Sequence, residues 1–488
     1  MDLAKRNTLT WIALTLVLFP VLAVLGAFMR AVQADTLAST QAWFYPTMTL
    51  HGVGMVGLWW VAALACASRV LAKYTEPSER IGRFAILGTV AGVALLLASV
   101  LIGRFAAGWY FLYPLPLKGT WPTWATVTFL LSLTVLGATW LVWVLDLLRA
   151  IAAKYTIGQA LGWHYIRGEV TPNVPPAVLI STVSLIAGVA CLLSGVVVLV
   201  LFYVELLTGA TNDALIMKNL TFLFGHLLVN LSLYLALAVV YDVFPIYTSR
   251  PWPASKVVAI AWNCVLAIVI LAYFHHLYMD FVQPLPFAYL GQIASYASAI
   301  PSAVVTLFGA MMIVYRAPVR WNLGFSLLFL GLLGWAIGGV GAVIDSTIAV
   351  NTKFHNTLWV PAHFHSYMIE GLVLMVCGYF YHYCQEHGGI PENLPRQRMT
   401  IGLLLIGGWG FLAMLYLAGA RSVPRRFALY PSELSFGAVY SAIALAFVGV
   451  FLAGLVSYIV EIGTRWVRAY RGELEQPRHP VVTEEVVT

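Results

Sequence analysis

Two histidines separated by one residue, His363 and His365, stand near the start of a long apolar stretch and are the first residues that could do chemistry. An imidazole inside a membrane segment is costly, and neutral imidazole is a common metal ligand, so such residues are expected to have a function. Residues two apart point about 200° apart on a helix, so the pair cannot readily share one metal. Each could instead bind a different planar cofactor, although two hydrogen-bonded core histidines remain the alternative.

Three further apolar stretches carry histidines. His51 opens one of them and is followed by Gly52 and Gly54, which we expect to leave a flat surface for a planar ligand. The next two stretches carry His226, and the adjacent pair His275 and His276. Adjacent buried histidines near a helix end are hard to explain by packing alone, so this pair predicts a metal site.

The composition requires these stretches to be membrane spans. The chain has 488 residues, of which 61% are hydrophobic and 10% charged, which is typical of a polytopic membrane protein. The first span is too long for a secretory signal and lacks a cleavage site. We therefore predict an all-α fold with one membrane domain over residues 1–488 and a cytoplasmic tail over 464–488. The predicted spans are 9–29, 45–72, 84–106, 122–150, 176–207, 218–247, 256–281, 289–315, 322–347, 357–384, 399–420 and 436–463.

The distribution of charge orients the predicted bundle. With the N-terminus inside, most of the 27 lysines and arginines fall in inner loops and tails, which predicts that both termini are cytoplasmic. The same distribution explains the net charge of +7, so nucleic acid is not an expected partner. The five cysteines have no ligand spacing and are interpreted as packing residues.

This orientation places six histidines at one level. His51, His226, His275, His276, His363 and His365 would all lie one to two turns inside the outer face, assuming 1.5 Å of rise per residue. The other five, His164, His355, His382, His387 and His479, fall in loops, tails or helix ends, and His164 is expected to be solvated.

The spacing suggests a redox centre. His226, His275 and His276 could form the ligand shell of a redox metal with an open position. His51 and His365 could bind one haem from both faces, and His363 could bind a second haem from one face. Such a centre could reduce a small diatomic molecule.

These residues resemble subunit I of the haem-copper oxidase superfamily over essentially all twelve spans, and the ba-type oxygen reductases, or B-family, most closely. The likeness is carried by the His226 segment, the His275–His276 pair and the stretch from His355 to His365. The segments Tyr113–Gly119 and Ser422–Arg426 resemble that family's segments in the same order. The resemblance implies a low-spin haem on His51 and His365, a high-spin haem on His363, and a distal metal on His226, His275 and His276. It also implies that His355, Arg425 and Arg426 meet the haem propionates, in agreement with guanidinium geometry.

One departure from the family favours a particular reaction. Oxygen reductases of this kind place a cross-linked tyrosine four residues after the helix-6 histidine, on the same helix face, and here that position is Asn230. The other known position for that tyrosine is Val269 here. Joining two NO molecules into N2O needs only two electrons and two protons, so nitric oxide reduction is the favoured prediction. An amide oxygen would suit a non-haem iron, although three imidazoles also suit copper, and two b-type haems are expected.

Electrons are expected from outside, through a second subunit with a cupredoxin-like copper centre or from cytochrome c, in a bacterial or archaeal cell membrane. Glu370, seven residues past His363 and so expected on the same helix face, is a candidate proton relay, and Tyr241 with Ser302 and Thr306 is a candidate inner route. Leu237 stands where the resemblance implies a tyrosine in that route, which predicts that few or no protons are pumped. Acidification outside enzyme-containing vesicles during turnover would contradict that prediction.

Two alternatives stay open. The first is a B-family cytochrome c oxidase that has moved its tyrosine to Tyr234, Tyr273 or Tyr278. The second is a cofactor-free transporter with histidines along its substrate path, although no inverted repeat is visible.

Overall fold

The structure of the protein is a computed structural model, and it is described here for residues 2–37 and 42–473. Within these ranges it forms twelve helices that are long and apolar enough to cross a membrane, and one isolated β-bridge is its only β-structure. The predicted all-α fold class and the twelve spans are therefore confirmed. In chain order they are α1 (Leu3–Gln33), α2 (Phe44–Leu71), α3 (Glu79–Ile102), α4 (Thr123–Lys154), α5 (Pro176–Thr208), α6 (Ala214–Thr248), α7 (Lys256–Leu277), α8 (Leu285–Val314), α9 (Leu323–Asp345), α10 (Trp359–Gly388), α11 (Leu394–Ala420) and α12 (Phe436–Arg471).

The helices pack mainly against their neighbours in the chain. The most extensive contacts join α11 to α12, α5 to α6 and α3 to α4, and α1 closes the bundle by packing against both α2 and α12. Even-numbered helices begin, and odd-numbered helices end, at the same end of the bundle. We call this end the histidine end, because the predicted ligands lie towards it.

Some helices extend beyond the predicted boundaries. Asp213 caps α6 by accepting a hydrogen bond from the Ile216 backbone N–H at 2.8 Å, so this helix begins four residues before the predicted span. The last helix continues to Arg471, well past the predicted start of the tail at residue 464. The rest of the tail, including His479, lies outside the described residues.

Four helices depart from α-geometry, and three of the departures carry predicted site residues. Segments 98–102 of α3, 304–308 of α8 and 366–373 of α10 are π-helical, and α7 ends in a 3₁₀ turn over Tyr273–Leu277. π-Turns inside α-helices are frequent at functional sites. Thr306 and Glu370 lie in π-turns, and both His275 and His276 lie in the 3₁₀ turn.

The π-turn of α10 changes the position of Glu370. Seven residues make two turns only in an α-helix, so the expectation that Glu370 shares a face with His363 is wrong. The carboxyl instead points at α11, where a Cβ on Gly408 would lie only 1.9 Å from its Oε1. The side chain is 1% exposed, and Oε1 has no hydrogen-bond partner.

The loop between α4 and α5 corrects one further expectation. His164 is 1% exposed rather than solvated, and one of its ring nitrogens lies 2.8 Å from the Pro172 carbonyl. The loop folds back on itself, which a polar sequence does not reveal.

Candidate functional site

Three histidines from two helices meet at one point. His226 of α6 and the pair at the end of α7 present ring nitrogens that all lie within 4.8 Å of one another. The Nδ1 atom of His226 is 3.3 Å from Nε2 of His276, while Nε2 of His226 is buried without a partner. Three convergent neutral imidazoles form the shell that a transition metal requires.

The 3₁₀ turn and α8 together hold the pair in place. Gly291 of α8 lies so close that a Cβ there would be 2.7 Å from the backbone nitrogen of His275. One turn later, Ser295 lies with its Oγ 2.9 Å from Nδ1 of His275 and donates its own hydrogen to the Gly291 carbonyl at 2.6 Å. Because that hydroxyl hydrogen is used, Ser295 must accept from Nδ1–H, which leaves Nε2 of His275 free to bind a metal.

His51 and His365 share a different arrangement. Nδ1 of His51 lies 2.8 Å from the Leu22 carbonyl of α1, and Nδ1 of His365 lies 2.7 Å from the Pro361 carbonyl. A carbonyl only accepts hydrogen bonds, so both rings carry their hydrogen on Nδ1 and have Nε2 available as a ligand.

The glycines beside His51 make room for protein side chains, not for the ligand that was predicted. A Cβ on Gly52 would lie 2.2 Å from the Cβ of Trp109, and one on Gly54 would lie 2.7 Å from Leu22. These glycines therefore admit protein side chains, and the expectation of a flat surface for a ligand is wrong. The glycine that approaches the imidazole is Gly26 of α1, where a Cβ would lie 2.8 Å from Cε1 of His51.

The rim of the site is built from two loops joined by a short bridge. Leu358 N–H donates to the Val423 carbonyl at 2.9 Å, and Thr357 pairs with Pro424. This pairing places His355 beside Arg425, and burial followed by the charge of Arg425 lowers the pKa of His355 to about 4.

The two arginines of the rim are suited to bind anions. Arg425 donates to the Asn356 side-chain oxygen at 3.0 Å, and Arg426 lies 3.9 Å above the Tyr110 ring with its Nε unpartnered. Neither guanidinium forms an ion pair with a carboxylate of the described residues. Two adjacent half-buried cations, with no ion pair to the described residues, are therefore available to carboxylates of a bound group.

A single cavity of about 740 Å³ joins all of these groups. Its walls are mostly apolar and come from ten helices and the rim, and they include the six predicted histidine ligands, His355 and both arginines. The cavity has imidazoles oriented by carbonyls on one side, unpartnered imidazole nitrogens on the other side and cations at the rim. This is the donor set that two haems and one further metal would use. The residues present therefore fit those groups.

Asn230 lies in the wall of this cavity, one turn after His226 on α6. Its Nδ2 donates to the His226 carbonyl at 2.8 Å. A carbonyl cannot donate, so this bond assigns the amide orientation and leaves Oδ1 as the atom available to a ligand. Among the described residues, no tyrosine hydroxyl is hydrogen-bonded to the three clustered histidines.

Two of the three tyrosines that could replace the cross-linked tyrosine of an oxidase form hydrogen bonds to groups other than the clustered histidines. The Tyr273 hydroxyl donates to Asn219 at 3.1 Å, and that of Tyr278 donates to the Ser346 carbonyl at 2.9 Å. Tyr234 does line the cavity, and so does Tyr367, which the sequence analysis did not single out. Tyr367 follows His363 by one turn, and its ring centre lies 5.3 Å from that imidazole.

The candidate inner route is only partly connected. The Tyr241 and Thr306 hydroxyls lie 3.0 Å apart. Ser302 lines the cavity but donates only to backbone carbonyls of its own helix. Leu237, one turn from Tyr241, is fully buried and offers no group that could pass a proton.

Fold and site together define a polytopic membrane protein whose central cavity carries a donor set that fits metals and cofactors. The model of the family described as "Cytochrome C and Quinol oxidase polypeptide I" matches residues 6–462. The chain belongs to this family, the haem-copper oxidase subunit I proteins. The family implies haems and a copper or non-haem metal centre, together with a second subunit and a cytochrome c or quinol donor.

Relatives are recognisable but distant. Cytochrome c oxidase subunit 1 of Thermus thermophilus is 26% identical over 436 residues, which cover 85% of this chain and 73% of the relative. The heme-copper oxidase subunit I+III of Aeropyrum pernix is 25% identical and covers 86% of this chain and 52% of the relative. The structure of a heme-copper terminal oxidase dimer superimposes with a TM-score of 0.80 at 18% identity, covering 98% of this chain and 86% of the other. This match at low identity shows the shared fold alone.

Proposed function

We propose that the chain is the catalytic subunit of a membrane nitric oxide reductase, which converts two NO, two electrons and two protons into N2O and water. The single observation that carries the proposal is Asn230, an amide in the cavity wall one turn after His226 of the three clustered histidines. A tyrosine there could supply the additional electron and proton that oxygen cleavage demands. NO reduction requires neither.

Each group of residues has a distinct part in this proposal. His51 and His365 hold a low-spin haem, His363 holds a high-spin haem, and the clustered histidines hold iron or copper. The haems, expected to be b-type, and the metal supply the two electrons when bound. His355, Arg425 and Arg426 bind the propionates, since the two guanidinium groups have no carboxylate partner among the described residues.

The route for proton delivery is the least continuous part of the proposed mechanism. Glu370 is buried with an unpartnered oxygen, and the Tyr241–Thr306 pair lies further along α6 and α8. We assign Glu370, Ser302 and the Tyr241–Thr306 pair to proton transfer. Because Leu237 interrupts this route, we expect the enzyme to pump few or no protons. The electron donor is a second subunit with a cupredoxin-like copper centre or cytochrome c, at the outer face of a bacterial or archaeal membrane.

The test compares two asparagines of the same helix. Asn219, like Asn230, donates to the carbonyl four residues earlier, at 2.9 Å, but it does not line the cavity. In the purified complex, Asn230→Ala should lower the rate of N2O formation by about 10- to 100-fold, the range typical of groups that support a metal site. Asn219→Ala, which also removes the acceptor of the Tyr273 hydroxyl, should lower that rate far less than Asn230→Ala.

Asn230→Tyr extends the test. Its content of distal metal should stay near one per two haems while NO consumption falls. Fast O2 consumption with negligible N2O formation by the unaltered complex would contradict the proposal. An optical spectrum without haem bands would instead support a cofactor-free transporter.

A second function, oxygen reduction by a cytochrome c oxidase, is favoured by two observations. The relatives above carry oxidase names, and Tyr234 and Tyr367 both line the cavity. Substituting each with phenylalanine would decide between the functions, because an oxidase that had moved its tyrosine would lose O2 turnover in one of the two variants.

A further inference from the structure

His363 differs from the other two histidines assigned to haems. His51 and His365 each have Nδ1 bonded to a backbone carbonyl, whereas Nδ1 of His363 is buried without a partner. A histidine that binds a metal through one nitrogen almost always donates the other N–H to an acceptor, which fixes the ring and raises its basicity. The structure must therefore offer an acceptor near His363.

The group positioned for this is the hydroxyl of Tyr416 on α11. It lies 3.1 Å from the Oγ of Ser366, which is 1% exposed. The Ser366 hydroxyl donates its single hydrogen to the Ala362 carbonyl at 2.9 Å. Tyr416 must then be the donor to Ser366, so the lone pairs of the phenol oxygen remain free to accept.

Gly341 of α9 lies next to both Nδ1 of His363 and the hydroxyl of Tyr416. A Cβ on Gly341 would lie 2.8 Å from Nδ1 of His363 and 3.4 Å from the Tyr416 hydroxyl. The absence of a side chain lets both atoms approach the backbone of Gly341 closely. Trp359 holds the Tyr416 ring from the other side, with ring centres 4.7 Å apart, and is itself anchored by its Nε1 donating to Asp345 at 2.5 Å.

We propose that Tyr416 is a positioning residue for His363. Its oxygen accepts the Nδ1–H of His363 once the ring binds the high-spin haem, directly or through one water. The resulting chain runs from His363 through Tyr416 and Ser366 to the Ala362 carbonyl, and each bond polarises the next. The chain increases the electron donation of the imidazole to the haem iron. This inference rests on the proposed haem at His363 but not on whether the substrate is NO or O2.

The test measures the bond between His363 and iron in the complete, purified complex. Tyr416→Phe should lower the iron–histidine stretching frequency in the resonance Raman spectrum of the reduced, ligand-free enzyme. It should also raise the midpoint potential of the high-spin haem, since a weaker donor stabilises the ferric state less. Ser366→Ala should shift both quantities in the same direction by a smaller amount.

The chain provides a matched control in Tyr203 of α5. Its hydroxyl lies 3.1 Å from the Oγ of Thr134, which in turn donates to the Leu130 carbonyl at 2.9 Å, but α5 contributes no residue to the cavity wall, whereas α11 does. Tyr203→Phe therefore removes the same kind of hydrogen bond and should leave the stretching frequency and the potential unchanged.

Two results would overturn the proposal. One is an unchanged stretching frequency in Tyr416→Phe when both haems are bound, and the other is an equal shift in Tyr203→Phe. The low-spin haem band, which depends on His51 and His365, reports whether each variant is folded. Failure of the haem assignment itself is distinguishable, because His363→Ala would then retain the high-spin signals.

Discussion

The cavity has two sides that hold their histidines in opposite ways. On the side of α1 and α2, His51 is fixed by a carbonyl before any ligand binds, and His365 is fixed in the same manner. On the side of α6 and α7, the imidazoles lie against one another, and the buried Nε2 of His226 has no partner. The first side suits a cofactor that only carries electrons. The second is completed by a metal, and its open position suits chemistry.

The largest expected effect comes from removing a clustered histidine. His226→Ala should abolish binding of the distal metal and lower turnover by more than about 100-fold, beyond the range seen for supporting groups. The low-spin haem band should be unchanged, because neither His51 nor His365 contacts this residue. Metal analysis with optical spectra would check both expectations. Loss of the low-spin band as well would show that the two sides are not independent.

On the side of α1 and α2, the addition of a single methyl group is expected to have a smaller effect. In Gly26→Ala the new Cβ would lie 2.8 Å from Cε1 of His51, so the ring or the helix must move, at a cost of about 1–3 kcal/mol. The low-spin haem band should shift or weaken while the distal metal is retained. Gly449→Ala on α12 is the control, because its Cβ would meet nothing within 4 Å.

The smallest expected effect concerns the one clustered imidazole that does have a fixed acceptor. Ser295→Ala removes the acceptor of His275 Nδ1–H and should weaken distal-metal binding by about tenfold, at the lower end of the effect of such groups. Titration of the metal-depleted complex would measure this change. A loss as large as that in His226→Ala would mean that Ser295 supports the whole cluster rather than one ring.

The bundle could be predicted from sequence because the bilayer sets the length of apolar segments, and all twelve spans were placed correctly to within several residues. The convergence of His226 with His275 and His276 followed from residue type, helix depth and chain order. The depth of these rings could be estimated because even-numbered and odd-numbered helices run in opposite directions.

What could not be predicted depends on contacts between segments distant in the chain. The position of Glu370 depends on a π-turn that apolar periodicity does not reveal. The roles of Gly26, Gly52 and Ser295 depend on which helix lies opposite each of them. The burial of His164 depends on a loop closing on its own Pro172.

The π-turn that follows His365 has a consequence for protein engineering. Such a turn holds one residue more than an α-turn, so a regular helix bearing the same residues would rotate everything after it by about 100°. A synthetic four-helix mimic that copied only the two histidines on an ideal helix would therefore direct Glu370 away from α11. Deleting one residue from 366–373 of the natural chain would instead restore a regular helix, leaving both histidines and the following part of the helix in register.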